Sequence, residues 1–145
     1  MGAELDLSSL KNAIAQLDEA MEFNRSDLAA ADPRLAVHLR AAAIQAFEFT
    51  YELAVRTPKR FLVAAEANPG AVAETSFDEL IRRGYELGLL KAEIAQWRGF
   101  RRDRGTISHA YDESKALAVY AAIPAFAAEA KHLLARIARH QGRAL

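Results

Sequence analysis

Apolar residues recur along this chain at helical spacing, and no convincing alternation with period two marks a strand. Leu10, Ile14, Leu17 and Met21 share one helical face, with Ser8 or Ser9 available as N-cap, which predicts a first helix over about Ser9 to Asn24. The run "ADPRL" then offers Asp32 as N-cap and Pro33 at the first helical position, where its missing N–H costs nothing. A long second helix follows, with a stripe of Leu35, Leu39, Ala43, Phe47, Tyr51 and Ala54 that resumes beyond Pro58 at Phe61 and Ala65 and ends before "NPG" at Asn68 to Gly70. Pro58 is expected to kink this helix without stopping it, because its ring meets the carbonyl of Ala54.

Ser76 and Glu79 form a capping box ahead of Phe77, Leu80, Ile81 and Tyr85, predicting a short helix closed near Gly88. Leu90, Ile94, Trp97 and Arg101 mark the next helix, whose last turn is rich in arginine, a placement the helix dipole favours. After a break, Asp112 can cap a final helix with Leu117, Tyr120, Ile123, Ala127, Ala130, Leu134 and Ile137 on one side, kinked at Pro124 and ending at Gly142. The fold expected is all-α: a single-domain antiparallel up-and-down bundle of four main helices plus a shorter one. Alanine-rich stretches such as "RAAAIQA" and "YAAIPAFAAEA" permit close helix approach, within one bundle or between two copies.

At 145 residues the chain can bury a sufficient core without metal or crosslinks, and its lack of cysteine fits a reducing, cytoplasmic compartment. No apolar run is expected to approach a membrane span, and the acidic start "MGAELDLSSL" is unlike a signal peptide, so a soluble protein is expected. Nineteen basic residues balance nineteen acidic ones. Any anion recognition must therefore come from a local cluster, not from a global field.

That cluster lies in "RRDRGTISHAYDE", Arg101 to Glu113. Arg98, Arg101 and Arg102 share a helix face and Arg104 closes the last turn, an arrangement that can bind a phosphate bidentately but that, taken alone, is more often a solvated helix end, here paired with Glu93, Asp103 and Asp112. His109 follows the arginines, and imidazoles exchange protons near neutrality. Metal-free RNA cleavage needs a group to take the ribose 2′-hydroxyl proton and a cation to stabilise the charged transition state, roles His109 and Arg104 suit. Tyr111 is a structural anchor, a stacking platform or an acceptor of a transferred group; Trp97 packs in the core or shields the site.

Glu48 and Glu52 are like charges one turn apart, relieved by Arg56 or by facing the arginine cluster and orienting it; in the second case Glu48 should couple to Arg101. His38, His132 and His140 lack partners at metal-ligand spacing, and there is no HExxH, Gly-rich phosphate loop or Ser nucleophile elbow, so neither metal nor cofactor is expected.

Two blocks resemble HEPN-domain proteins of the nucleotidyltransferase substrate-binding family: "AAIQAFEFTYELAVRTPKRFL" (Ala42 to Leu62) and "IRRGYELGLLKAEIAQWRGFRRDRGTISHAYDE" (Ile81 to Glu113). Within the second, Arg104, His109 and Tyr111 match the RxxxxHxY signature. The resemblance implies a dimerising up-and-down bundle and a partnership with a small nucleotidyltransferase, the MNT protein, often as a toxin–antitoxin pair. It implies that Arg104 binds the scissile phosphate of an RNA, His109 moves the proton and Tyr111 accepts AMP from the partner. A position that is usually polar, often Asn, is Gly105 here. Loss of that amide and the neutral overall charge favour a partner-docking role over a free-standing metal-independent endoribonuclease toxin, with a purely structural helical dimer as the remaining reading.

Overall fold

The structure is a computed structural model that describes residues 5–65, 70, 72 and 74–142. Among these residues it is all helical: α1 (Ser8–Asn24), α2 (Asp27–Ala31), α3 (Pro33–Ala65), α4 (Phe77–Glu86), α5 (Ile94–Thr106), a single 3-10 turn (Ile107–His109) and α6 (Glu113–His140). The four long helices and the shorter α4 are those expected. The helix α2 was not: its five residues are too few to show periodicity, and Ser26 caps it by accepting a hydrogen bond from the Ala29 N–H at 3.3 Å.

Hydrogen bonds and ring contacts fix the direction of each rod. The Asn24 amide donates to the Ala36 carbonyl and the Thr50 hydroxyl reaches the Ala13 carbonyl, so α1 and α3 run antiparallel. Contacts of Phe47 with Phe126 and of Phe61 with His140 lay α6 parallel to α3. Pairing of Trp97 with Glu129 and of Phe100 with Phe126 turns α5 against both. The result is an up-down-up-down bundle. Its centre is an aromatic cluster in which the Phe126 ring lies edge-on to Phe47, Phe100 and Trp97 at centroid separations of 5.0, 5.3 and 6.2 Å. Burying each such side chain contributes roughly 1.5–3 kcal/mol.

Local signals account for the ends. Asp32 accepts from the Arg34 and Leu35 N–H groups at the start of α3, and Asp112 accepts from Ser114 and Lys115 at the start of α6. At α1 neither Ser8 nor Ser9 caps; the Asp6 carboxylate instead takes the Ser8 N–H at 2.9 Å, two residues ahead of the helix. Ser76 caps α4 as expected, but Glu79 gives its carboxylate to Arg82. Helix α4 closes with Gly88 at φ +76°, its N–H bonded to Tyr85 and that of Leu89 to Gly84, which needs the left-handed backbone that glycine supplies cheaply.

Helices α3 and α6 run through Pro58 and Pro124 without a break. The "NPG" end falls at Asn68 and Pro69, outside the described residues. Three further expectations need correction. Leu90 lies before α5 in a buried turn and not in the helix; Leu35, Ala65, Tyr85 and Leu117 are exposed; and the core stripes are wider than anticipated, adding Ile44, Leu62, Val119, Phe126 and Leu133. A helix packed against several neighbours buries more than one narrow seam. By length and composition α6 is also apolar enough to cross a membrane, contrary to the reading of the sequence; in the bundle its apolar side instead packs on α1, α3 and α5.

Candidate functional site

Helix α5 ends in the arginine-rich turn, and the 3-10 turn carries His109 to the surface two residues ahead of Tyr111. The imidazole and the phenol ring stand 6.2 Å apart, edge to face, with Tyr111 87% exposed. Tyr111 is therefore not a buried anchor. The Asp112 cap starts α6 immediately afterwards, so the chain that holds both rings is fixed at each end by a helix.

The arginines divide between two neighbours. Arg98 reaches α4 and pairs with Asp78, whose carboxyl the Arg98 hydrogen bond holds below the usual range. The Arg101 guanidinium lies 4.8 Å from the centre of the Phe77 ring, a cation–π placement. Arg104 turns the other way, to α3, where its terminal nitrogens lie 3.3 Å from Glu48 and 3.0 Å from Glu52. The hydrogen bond to Glu52, opposed by burial and helped by the Glu48 charge, keeps this guanidinium more firmly protonated than a free arginine. Arg102 is exposed, and its charge partly offsets the burial that pushes the neighbouring Asp103 carboxyl up. Among the described residues the arginines form no single pocket, because α4 draws Arg98 and Arg101 to one side and the α3 carboxylates draw Arg104 to the other.

Glu48 and Glu52 do face the arginine end of α5, but their partner is Arg104, not Arg101 or Arg56. A guanidinium bridging both carboxylates removes the repulsion of the i, i+4 pair. Of the acids suggested as partners of the arginines, Asp103 feels the charge of Arg102, while the ion pairs go to Asp78, Glu48 and Glu52, which are distant in sequence and close in space, and not to Glu93 or Asp112. Gly105 sits in α5 with open space where a Cβ would be.

Trp97 is fully buried, 5.4 Å from Phe100 and 6.3 Å from Tyr51 between ring centres, so it belongs to the core beneath the site. Its indole N–H donates to Glu129 at 2.6 Å, and the same carboxylate accepts the Lys91 and Ala92 N–H groups at 3.0 and 2.9 Å. Sequence reasoning missed Glu129, although it is 4% exposed. The available signal was a lone carboxylate in register with the apolar stripe of "AFAAEAKHLL", which in a folded chain must find donors. Among the described residues no group of three or more His, Asp or Glu side chains is placed to hold a metal.

Residues 5–139 match the family described as "Nucleotidyltransferase substrate binding protein like". The chain is 33% identical over 129 residues to the "Probable ribonuclease HepT" of Haemophilus influenzae, across 89% of this chain and 84% of that protein. A solved Haemophilus influenzae structure, described as revealing the fold of a substrate binding domain of a nucleotidyltransferase, superposes with a TM-score of 0.82 at 32% identity, covering 91% of this chain and 98% of that one. A crystal structure from Thermus thermophilus follows at 0.65 and 28%, covering 88% and 98%.

Proposed function

The chain belongs to the nucleotidyltransferase substrate-binding protein family, and from that premise we propose that it is the partner subunit of a small MNT-type nucleotidyltransferase, to which it presents Tyr111 as an acceptor of AMP. The observation that carries this reading is the exposure of Tyr111 beside His109, at the end of a helix whose last turns are basic. In the reaction the phenolic oxygen attacks the α-phosphorus of ATP, its proton passes to solvent, the bond from the α-phosphorus to the bridging oxygen breaks, and pyrophosphate leaves with that electron pair. Arg101 and Arg102, exposed on the preceding turns, are the cations that supplement the electrostatic environment of the incoming phosphate.

Arg104 is less available to an anion, since the two carboxylates beside it leave the triad with one net negative charge. That balance supports docking of a nucleotide-loaded partner in the cytoplasm over broad RNA binding. A homodimer that brings two RxxxxHxY turns together belongs to the same reading, as does a toxin–antitoxin role. Intact mass of the protein co-expressed with its neighbouring transferase tests it: one added adenylate lost in Tyr111→Phe is expected, and an unmodified chain beside a demonstrably active transferase overturns it.

The second reading, a metal-independent endoribonuclease using His109 and Arg104, is favoured by the name of the Haemophilus influenzae relative and by the exposure of His109. Purified protein should then cut RNA in EDTA, and His109→Ala should abolish cutting. Equal cutting by that variant removes this reading.

A further inference from the structure

A cavity of about 330 Å³ opens between the first half of α3 and the segment that bears the signature. Val37, Ala41 and Ile44 line it from α3, Ile107 and Ala110 from the turn after α5, and Ala116 from α6. Ala110 is the residue between His109 and Tyr111, so one peptide strand carries a cavity wall and both exposed rings. The polar members are Arg40, Gln45 and Glu48, one cation, one amide and one anion. Such a lining repels neither sign strongly, and it suits a neutral ring with a few polar edges better than it suits a phosphate.

We propose that this cavity receives the adenine ring of an adenosine nucleotide whose phosphate lies outside it, against Tyr111 and the basic end of α5. The inference rests on the reading of Tyr111 as an AMP acceptor and adds the base-recognition site. Methyl-bearing walls cover the faces of the ring, and a cavity of this size holds one base. A glutamine amide donates and accepts at once, the pattern that meets the N6 and N7 positions of adenine and mismatches guanine. Arg40 and Glu48 leave the lining without net charge and so without a pull on a phosphate, while the exposed Tyr111 lies outside it, which sets the polarity: base inward, phosphate outward. The adenosine has two sources, a covalent adenylate on Tyr111 or a diffusible nucleotide, and the chemistry of the site is common to both.

Titration of the unmodified protein with AMP, GMP and ribose 5-phosphate, followed through the methyl NMR signals of Ala41, Ile44, Ile107 and Ala110, tests the site. AMP should shift these methyls, GMP should bind about 10-fold more weakly, and ribose 5-phosphate should leave them unmoved. Ala41→Phe fills the cavity from an exposed position and should weaken AMP at least ~10-fold while the core methyls of Leu17 and Leu133 keep their shifts. Gln45→Leu should erase the preference for AMP over GMP. Failure of AMP to move the cavity methyls, a response to ribose 5-phosphate equal to that of AMP, or unchanged AMP binding by Ala41→Phe overturns the proposal. The adenylylated protein assigns the source: methyls already shifted and insensitive to added AMP point to the covalent group, and continued uptake points to the free nucleotide. An unmodified Tyr111 would sink the acceptor reading without touching the AMP titration, so the two failures are separable.

Discussion

The two ends of α5 solve opposite problems with the same kinds of residue. At its start, Glu129 is sealed in the core and receives three N–H donors from Lys91, Ala92 and Trp97. At its finish, Glu48 and Glu52 sit half in solvent around Arg104, and beyond them His109 and Tyr111 stand exposed. Burial makes the first arrangement rigid: a desolvated carboxylate is tolerable only while every donor stays in place. Hydration makes the second exchangeable, since water can replace any one contact at small cost. One end therefore positions the helix, and the other presents titratable groups to solvent.

Substitution of Glu129 should break the rigid end most severely. Glu129→Ala leaves two backbone donors and an indole N–H without a partner, and a loss of roughly 3–5 kcal/mol is expected in urea unfolding. A loss under about 1 kcal/mol would mean that water enters and satisfies these groups. Gly88→Ala, at the turn Glu129 supports, should cost about 1–2 kcal/mol, because φ is +76° and a Cβ would meet the Arg136 guanidinium at 3.0 Å.

Changes at the other end should be milder. Gly105→Ala points into open space on a helix and should stabilise by about 0.5–1 kcal/mol, which a thermal melt resolves. A double-mutant cycle of Glu48→Gln with Arg104→Ala should give a coupling of roughly 0.5 kcal/mol that shrinks in salt, whereas the cycle with Arg101→Ala should be additive. The smallest effect concerns Asp103. Burial raises its folded-state pKa, so its contribution is present below the unfolded pKa and is lost as pH rises through the folded one. Asp103→Asn should gain on the parent protein between about pH 3 and pH 7, and a difference independent of pH would contradict that cause.

Most of the scaffold is legible in the sequence. Asp32, Ser76 and Asp112 cap helices where their position in the sequence implied, because an N-cap acts on N–H groups two or three residues away. Leu117 was misassigned and Phe126 missed for the converse reason: a helical period says which residues share a face, and only neighbouring helices decide how wide that face becomes. The signature Arg104, His109 and Tyr111 was equally visible, as was the prospect that Glu48 and Glu52 face the arginines.

What the sequence settled by itself was thus local: helix type, the caps at Asp32, Ser76 and Asp112, the turn at Gly88, and the order of chemical groups along "RRDRGTISHAYDE". Which acid meets which arginine, the burial of Glu129 under three donors, and the cavity behind Ala110 were decided only by tertiary structure. The physical reason is range. Capping and periodicity act within one or two turns of chain, while charge pairing and exclusion of water depend on residues such as Glu52 and Arg104 that only folding brings together.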